Sequence, residues 1–412
     1  MKPDSMRTID RWAGVPLTFL FSIVLFFTAI FRKRSAKPNL HHTLFIELSE
    51  MGSAIIADPA MRKLKAEGNA ELYFAIFKSN KKSLDLLKTI PSENIFGMRS
   101  ENIWVLAVDV IKFIFWCRSK KINTVIDLEL FSRFTALLTA LSGASTRIGF
   151  GSIHDEGLYR GKIITHPVRY NAHVHISVNF ISLINTALGF HNTPYPTHPI
   201  DFQSIKLEKA IIDSKDQQEV LQKIKNLYPQ LGQQKIFLLN VNASDLLPQR
   251  KWLPERFAEI GRNFLENNPD WIILATGAPN EYEYVKNVVD MINDSGCINT
   301  AGAFKFEELV PLYSISSLML TNDSGPAHFA SVTNLKTFVI FGPETPNLYL
   351  PLGGNAEPIY LGLPCSPCVS AANHRKTTCI TRPCITGIST AMVQQKIDSF
   401  VQSTFPVYIK AT

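Results

Sequence analysis

Residues 317–330 read SLMLTNDSGPAHFA. A mostly apolar run ends at Leu320, and Asp323, Ser324, Gly325, Pro326 and His328 follow within a few positions. A strand that turns into a helix explains the framework, since Ser324 can cap the helix and Pro326 suits its first turn, where a missing N–H costs little. The surplus polarity points to a ligand. N–H groups at a helix start, together with the helix dipole, favour an anion such as a diphosphate. Gly325 would let it approach the backbone, with Asp323 and His328 flanking it.

The same alternation extends outward in both directions. Thr43–Leu48 reads as a strand, Ser49–Ser53 as a loop and Ala54–Leu64 as a helix by its apolar spacing. Leu72–Ile76 and Thr124–Leu128 are further strands, the second leading into a helix through Leu141 and a turn at Ser142-Gly143. In the second half the strands are Lys235–Asn240, Trp271–Ala275, Leu318–Leu320 and Thr337–Phe341, with a helix opening near Leu253-Pro254-Glu255. Strands alternating with helices imply an α/β protein with parallel sheets covered on both faces. Two doubly wound halves would bind ligands in the cleft at the carboxyl ends of their strands. At 412 residues the chain is too long for one small core. The Pro-rich stretch HNTPYPTHPIDF, from His191, marks the boundary, giving domains over 41–198 and 206–412.

The first 38 residues stand apart as an expected membrane anchor with a basic flank. Trp12–Phe31 is a run of 20 uncharged residues, about enough for a helix to cross a bilayer core of roughly 30 Å. Arg32, Lys33, Arg34 and Lys37 follow it, whereas Lys2, Arg7 and Arg11 before it are diluted by Asp4 and Asp10. That asymmetry keeps the bulk of the chain cytoplasmic. A cleaved signal peptide is the rival reading, but RKRSAK is a poor cleavage site. Gly14 and Pro16 also permit a helix that dips into one leaflet and returns. Ile103–Lys121, aromatic and apolar with Lys112, Arg118, Lys120 and Lys121, can lie on a membrane surface; a half-buried helix is the plainer reading. The net charge of +7 is spread along the chain. It suits anionic partners such as membrane lipids or phosphorylated substrates, and no nucleic-acid motif accompanies it.

Cys365, Cys368, Cys379 and Cys384 follow a C-x2-C-x10-C-x4-C spacing, with His374 inside. In a cytoplasmic protein such residues are thiols or metal ligands. The spacing is compatible with a structural tetrahedral zinc. Free thiols are preferred, disulfides remain a third reading, and no metal is assigned to the chemistry.

Asn322 to His328 (NDSGPAH), followed by Phe341 to Pro346 (FGPETP), resembles the D-[ST]-G-P-x-H … F-G-P-T-x-P signature of glycosyltransferase family 9, the bacterial lipopolysaccharide heptosyltransferases and their relatives. The resemblance covers about 43–385, with IELSEMGSAIIADP (Ile46–Pro59) similar to the family's first strand and S-x-x-G-D loop. Val125–Phe150, His173–Gly189 and Asn240–Phe257 match its later blocks in order. This implies a GT-B fold of two facing doubly wound domains, with acceptor on the first and nucleotide sugar on the second. It also implies inverting transfer without a metal to a lipopolysaccharide or other lipid-linked glycan, at the cytoplasmic face of the bacterial inner membrane.

Inverting transfer needs a base for the acceptor hydroxyl on one side of the sugar and cations or N–H groups for the departing diphosphate on the other. By resemblance Arg250 stands where the family has a lysine, beside Lys251 and Trp252. Thr276, Gly277 and Glu281 lie where the family contacts the nucleoside. One departure matters: Ser53 occupies the position of the family's catalytic aspartate, and a serine alone is no base near neutral pH. Glu50 is the expected replacement and Asp127 the second candidate. A catalytically silent relative that binds nucleotide sugar or scaffolds an assembly complex is the alternative.

Overall fold

The computed structural model describes residues 3–30, 38–130, 132–151, 159–191, 193–371, 373 and 375–405. Two compact units share the chain: the first runs to Glu208 and includes Ser370–Arg375, and the second comprises Lys209–Val369 and the chain from Lys376.

In the first unit, α1 (Pro3–Trp12) and α2 (Gly14–Ile30) precede β1 (His42–Ile46). Then come α3 (Met51–Ile56), α4 (Asp58–Gly68), β2 (Glu71–Phe77), α5 (Lys82–Asp85) and β3 (Ile95–Met98). The unit continues with α6 (Ile103–Ser119), β4 (Thr124–Asp127), α7 (Arg133–Leu141), β5 (Thr146–Phe150), β6 (His166–Val168) and α8 (Ile176–Ala187). The sheet order is β3-β2-β1-β4-β5-β6, all parallel. Leu44, Ile46, Tyr73, Ala75 and Val125 share one sheet face and pack under Phe113 and Cys117 of α6 and Leu138 of α7. Burial on both faces gives the unbroken apolar runs of a parallel sheet, as in LYFAI of β2.

The second unit repeats the plan. It contains α9 (Ser214–Leu227), β7 (Lys235–Asn240), α10 (Pro254–Asn267), β8 (Trp271–Thr276), α11 (Tyr282–Ile292) and β9 (Cys297–Asn299). After these come α12 (Leu309–Ile315), β10 (Leu318–Asn322), α13 (Gly325–Ala330), β11 (Lys336–Ile340), α14 (Pro346–Tyr349) and β12 (Ala356–Ile359), then α15 (Pro383–Thr386) and α16 (Thr390–Thr404). Its parallel sheet runs β12-β11-β10-β7-β8-β9.

Two expected helices are broken, both near a proline. The helix over Ala54–Leu64 divides at Ala57, just before Asp58-Pro59. Proline has no N–H to donate, and its ring crowds the carbonyl four residues back. The expected N-terminal span divides at Ala13, three residues before Pro16, and the two parts are bent by 43°. Among the described residues no single helix is long and apolar enough to cross a membrane. One side of α2 is instead docked: Phe21 and Leu25 lie against Ala136, Leu137, Ala140 and Ile163. Gly161, at φ +67, admits this approach, because a Cβ there would lie 2.2 Å from Ser22 Oγ. Asp10 accepts from Arg133 at 3.1 Å and ties α1 to α7. Lys2 and the basic cluster Arg32, Lys33, Arg34 and Lys37 lie outside the described residues.

Candidate functional sites at the two switch points

A doubly wound sheet opens where its strand order reverses, because loops leaving neighbouring strands there turn to opposite faces. In the second unit that point lies between β7 and β10. Asn240, ending β7, donates to Thr276 Oγ1 at 3.2 Å and accepts from Thr321 Oγ1 at 3.2 Å. Asn242 donates to Glu281 Oε1 at 2.8 Å, and the other Glu281 oxygen accepts the Ala278 N–H at 2.7 Å. Gly277 must stay small, since a Cβ would sit 2.9 Å from Val285 and 3.1 Å from Glu281. The structure thus brings Thr276, Gly277 and Glu281 into one polar network with the end of β10, which leads directly into Asp323, Ser324 and Gly325.

Asn322, fully buried, fastens the basic loop to this network. Its Oδ1 accepts the Trp252 backbone N–H at 2.8 Å, and its amide donates to Val241 O at 3.2 Å and Asn242 O at 3.4 Å. Trp252 is itself buried and donates Nε1 to Ile388 O at 3.1 Å. Arg250 and Lys251, just before it, are held by that anchor. Arg250 Nε is buried with no hydrogen-bond partner among the described residues. Lys251 Nζ meets Asp245 at 2.5 Å, but the Asp245 side chain is 92% exposed. The lysine amine also lies 5.4 Å from the centre of the Tyr284 ring, which leaves the ion pair with so exposed an acid as the contact that an anion can replace.

Ser324 departs from the capping role expected of it. Its hydroxyl donates to Asn322 O at 3.1 Å, and it makes no side-chain cap to α13. A capping oxygen takes the N–H of the second or third helical residue. Here the second is Pro326, which has none, and the third, Ala327, already donates to Ser324 O at 3.1 Å. Asp323 and His328 are both buried at the same strand end and short helix.

In the first unit the switch point lies between β1 and β4, and carboxylates gather there. Glu47 follows β1, Asp127 ends β4, and Glu129 reaches back to accept from Leu48 N at 3.0 Å, Ser49 N at 3.1 Å and Ser49 Oγ at 2.9 Å. Glu50 Oε2 accepts the Ser53 hydroxyl at 3.0 Å, and its other oxygen accepts from Arg375. The Ser53 hydroxyl therefore helps to orient the Glu50 carboxylate. Asp127 has a different setting: it is fully buried against Arg160, which also donates to Phe150 O at 3.0 Å. Burial pushes the Asp127 carboxyl up while Arg160 pulls against it. The Glu47 carboxyl is raised well above the usual range, first by burial and then by Glu129, Glu50 and Asp127. Burial also raises Glu129.

Glu47, Glu129, Arg160, Asn322 and Arg375 do not stand out in the sequence as site residues. The available signals are an acid inside the apolar run FIEL for Glu47 and the Asn before the D-S-G-P run for Asn322.

The four clustered cysteines are free thiols, Cys365 exposed and Cys384 buried. Burial raises the Cys384 thiol, and the three other sulfurs add to the shift. Among the described residues the one group of three metal-ligating side chains with ligand atoms within 4.8 Å is His41, His42 and Glu71, so these sulfurs do not form a ready tetrahedral cage. His374 lies outside the described residues.

The sequence model of glycosyltransferase family 9 (heptosyltransferase) matches residues 117–378. A lipooligosaccharide heptosyltransferase 2 of Campylobacter jejuni is 30% identical over 138 residues, 33% of this chain and 42% of that protein. The lipopolysaccharide heptosyltransferase 2 of Escherichia coli K12 is 25% identical over 117 residues, 28% of this chain and 33% of that protein. These matches span less than half the length of either relative. Two solved structures share the fold more completely. E. coli ADP-heptose lipopolysaccharide heptosyltransferase II superposes with a TM-score of 0.68 at 17% identity, covering 88% of this chain and 99% of that one. A family 9 glycosyl transferase from Veillonella parvula gives 0.70 at 16% identity, covering 90% and 100%. The fold is of the GT-B class.

Proposed function

The chain belongs to glycosyltransferase family 9, and from that membership we propose that it transfers a heptose-like sugar from a nucleotide diphosphate donor to a lipopolysaccharide or other lipid-linked glycan, with inversion and without a metal. The observation that carries this reading is the second unit's switch point. There a buried arginine nitrogen without a partner among the described residues and a lysine paired with an exposed acid are anchored, through Asn322, to the strand end that leads into Asp323-Ser324-Gly325. Cations fixed in a partly dry setting suit a departing diphosphate, whose charge grows as the sugar leaves. Thr276, Gly277 and Glu281 would meet the nucleoside, and the solved E. coli relative makes ADP-heptose the first donor to try.

The first unit would take the acceptor, with Glu50 receiving the hydroxyl proton. Glu50 suits this better than Asp127, which is sealed from solvent against Arg160. Ser53, hydrogen-bonded to Glu50, would orient the base rather than act as one. The setting proposed is the cytoplasmic face of the bacterial inner membrane, in contact with membrane lipids.

The test is thermal stabilisation of the full chain by a panel of nucleotide sugars, followed by transfer to deacylated core acceptors. A donor binding the folded state must raise the melting temperature. Stabilisation without transfer to any acceptor would favour a silent, nucleotide-sugar-binding relative, the reading that Ser53 keeps open. Absence of any stabilisation would remove the donor site itself.

A further inference from the structure

Helix α6 is apolar nearly all round. Its inner side sends Phe113 and Cys117 into the core, with Leu106 and Val110 packed beside them. Its outer side carries Trp104, Val108, Ile111 and Phe115, spaced four, three and four residues apart and so aligned on one stripe. Trp104 is 80% exposed and Phe115 64%. A surface helix ordinarily turns polar residues outward. The only acid within α6, Asp109, is buried and held by Arg99 at 2.7 Å. The exposed charges from mid-helix onward are therefore positive, Lys112, Arg118 and Lys121, while the exposed acid Glu101 lies just before the helix begins.

Helix α7 links this stripe to a second one. Leu138 of α7 belongs to the cluster beneath α6, while Ala136, Leu137 and Ala140 meet Phe21 and Leu25 of α2. Thus α7 packs with α6 in one cluster and with α2 in the other. The outward side of α2 carries Phe19, Leu20, Val24 and Phe26, each about half exposed or more. Arg11 and Lys162 stand exposed beside it, and the Lys162 backbone N–H donates to Ser22 Oγ at 2.8 Å.

We propose that the outer faces of α6 and α2 form one membrane-docking surface that lies in the interfacial layer of an anionic bilayer, with the bent α1–α2 pair dipping into one leaflet rather than crossing it. This deepens the membrane setting of the proposed function and rests on it only for the choice of bilayer. Apolar stripes bordered by cations match a layer of acyl chains below anionic headgroups. A bilayer covers both stripes at once without a matching contour.

The test is sedimentation of the full chain with vesicles of phosphatidylethanolamine and phosphatidylglycerol, titrated in lipid. Trp104→Glu/Phe115→Glu should require at least tenfold more lipid for half binding, since two large apolar side chains no longer partition. Lys112→Glu/Arg118→Glu, which leaves the stripe intact, should weaken binding several-fold, and the parent should bind pure phosphatidylcholine less well. Melting temperature and its rise with ADP, UDP or GDP should stay at parent values, so a failure here is separable from a failure of the donor site. Parent-like binding by the Trp104/Phe115 variant overturns the proposal, as does equal binding of the parent to both vesicles. A parent that is dimeric without lipid and made monomeric by the variant would assign the face to a second copy and also overturn it.

Discussion

Asn322 accepts the backbone N–H of Trp252 at 2.8 Å across seventy residues of sequence. One buried amide at the end of β10 thereby joins the residues just after β7 to the Arg250-Lys251-Trp252 segment further along the same loop. The three partners of this neutral side chain are all backbone, and Arg382 adds a second hold on the loop by donating to Pro248 O at 3.3 Å and Lys251 O at 3.2 Å.

Replacing Asn322 by alanine strands the Trp252 N–H and two carbonyls in a dry place. Each buried group left unpaired costs about 1–3 kcal/mol. Asn322→Ala should lower the urea midpoint accordingly and weaken nucleoside diphosphate binding, although Asn322 need not touch the ligand. A variant with parent stability and affinity would show that the loop holds its place without this amide.

Arg250→Ala removes the cation whose Nε has no partner among the described residues. A charge-assisted contact contributes about 1.5–3 kcal/mol, so affinity for a nucleoside diphosphate should fall at least tenfold by calorimetry. Because that nitrogen has no such partner, stability should change little. Unchanged affinity would put the phosphates elsewhere.

Glu50→Gln keeps the shape that Ser53 and Arg375 hold but removes the proton acceptor. Turnover should fall by roughly a hundredfold or more, the usual scale of general-base catalysis, with donor binding preserved. Ser53→Asp in that background should recover part of the rate. A fully active Glu50→Gln enzyme would end the assignment.

Asp127→Ala separates stability from chemistry. It leaves the Arg160 guanidinium buried without its counter-charge, at a cost of about 3–5 kcal/mol. Melting temperature should drop sharply while the folded fraction keeps its transfer rate. A rate lost a hundredfold at parent stability would make Asp127 the base.

Glu47 supplies a pH test. Its carboxyl is raised in the folded chain, so the folded state holds a proton that the unfolded state releases above the ordinary glutamate range. Stability from this group is therefore fully present in acid and lost as pH rises toward the folded pKa. Glu47→Gln should melt like the parent near pH 4 and increasingly above it toward pH 8. The gap should widen by about 1.4 kcal/mol for each pH step above the ordinary glutamate range, until the folded carboxyl itself ionises. A gap that shrinks as pH rises would mean that Glu47 is charged in the fold.

Much of the fold is readable because buried parallel strands are unbroken apolar runs. Lys235–Asn240 reads as a strand with the same limits that β7 has. Short strands such as β6 and β9, each of three residues, carry too little pattern to stand out. The residues proposed for the donor are legible as a motif, since Asp323, Ser324 and Gly325 adjoin in sequence. The acidic group is not: Glu47 and Glu129 meet only because β1 lies beside β4, a pairing that local pattern cannot express. The failed cap at Ser324 is half foreseeable: Pro326 announces one missing N–H, whereas only the structure shows that the Ala327 N–H goes to the Ser324 carbonyl.

The shared strand order also bears on how the chain is made. In each sheet the first strand is central, the next two extend one side and the last three extend the other. As the polypeptide leaves the ribosome, β2 finds β1 already complete, β3 finds β2, β4 returns to the open edge of β1, and β5 and β6 follow outward. No gap has to be kept open for a strand not yet synthesised, and the second half repeats the sequence from β7. Both sheets can thus be laid down in step with translation, which shortens the time that any bare strand edge is exposed to neighbouring chains.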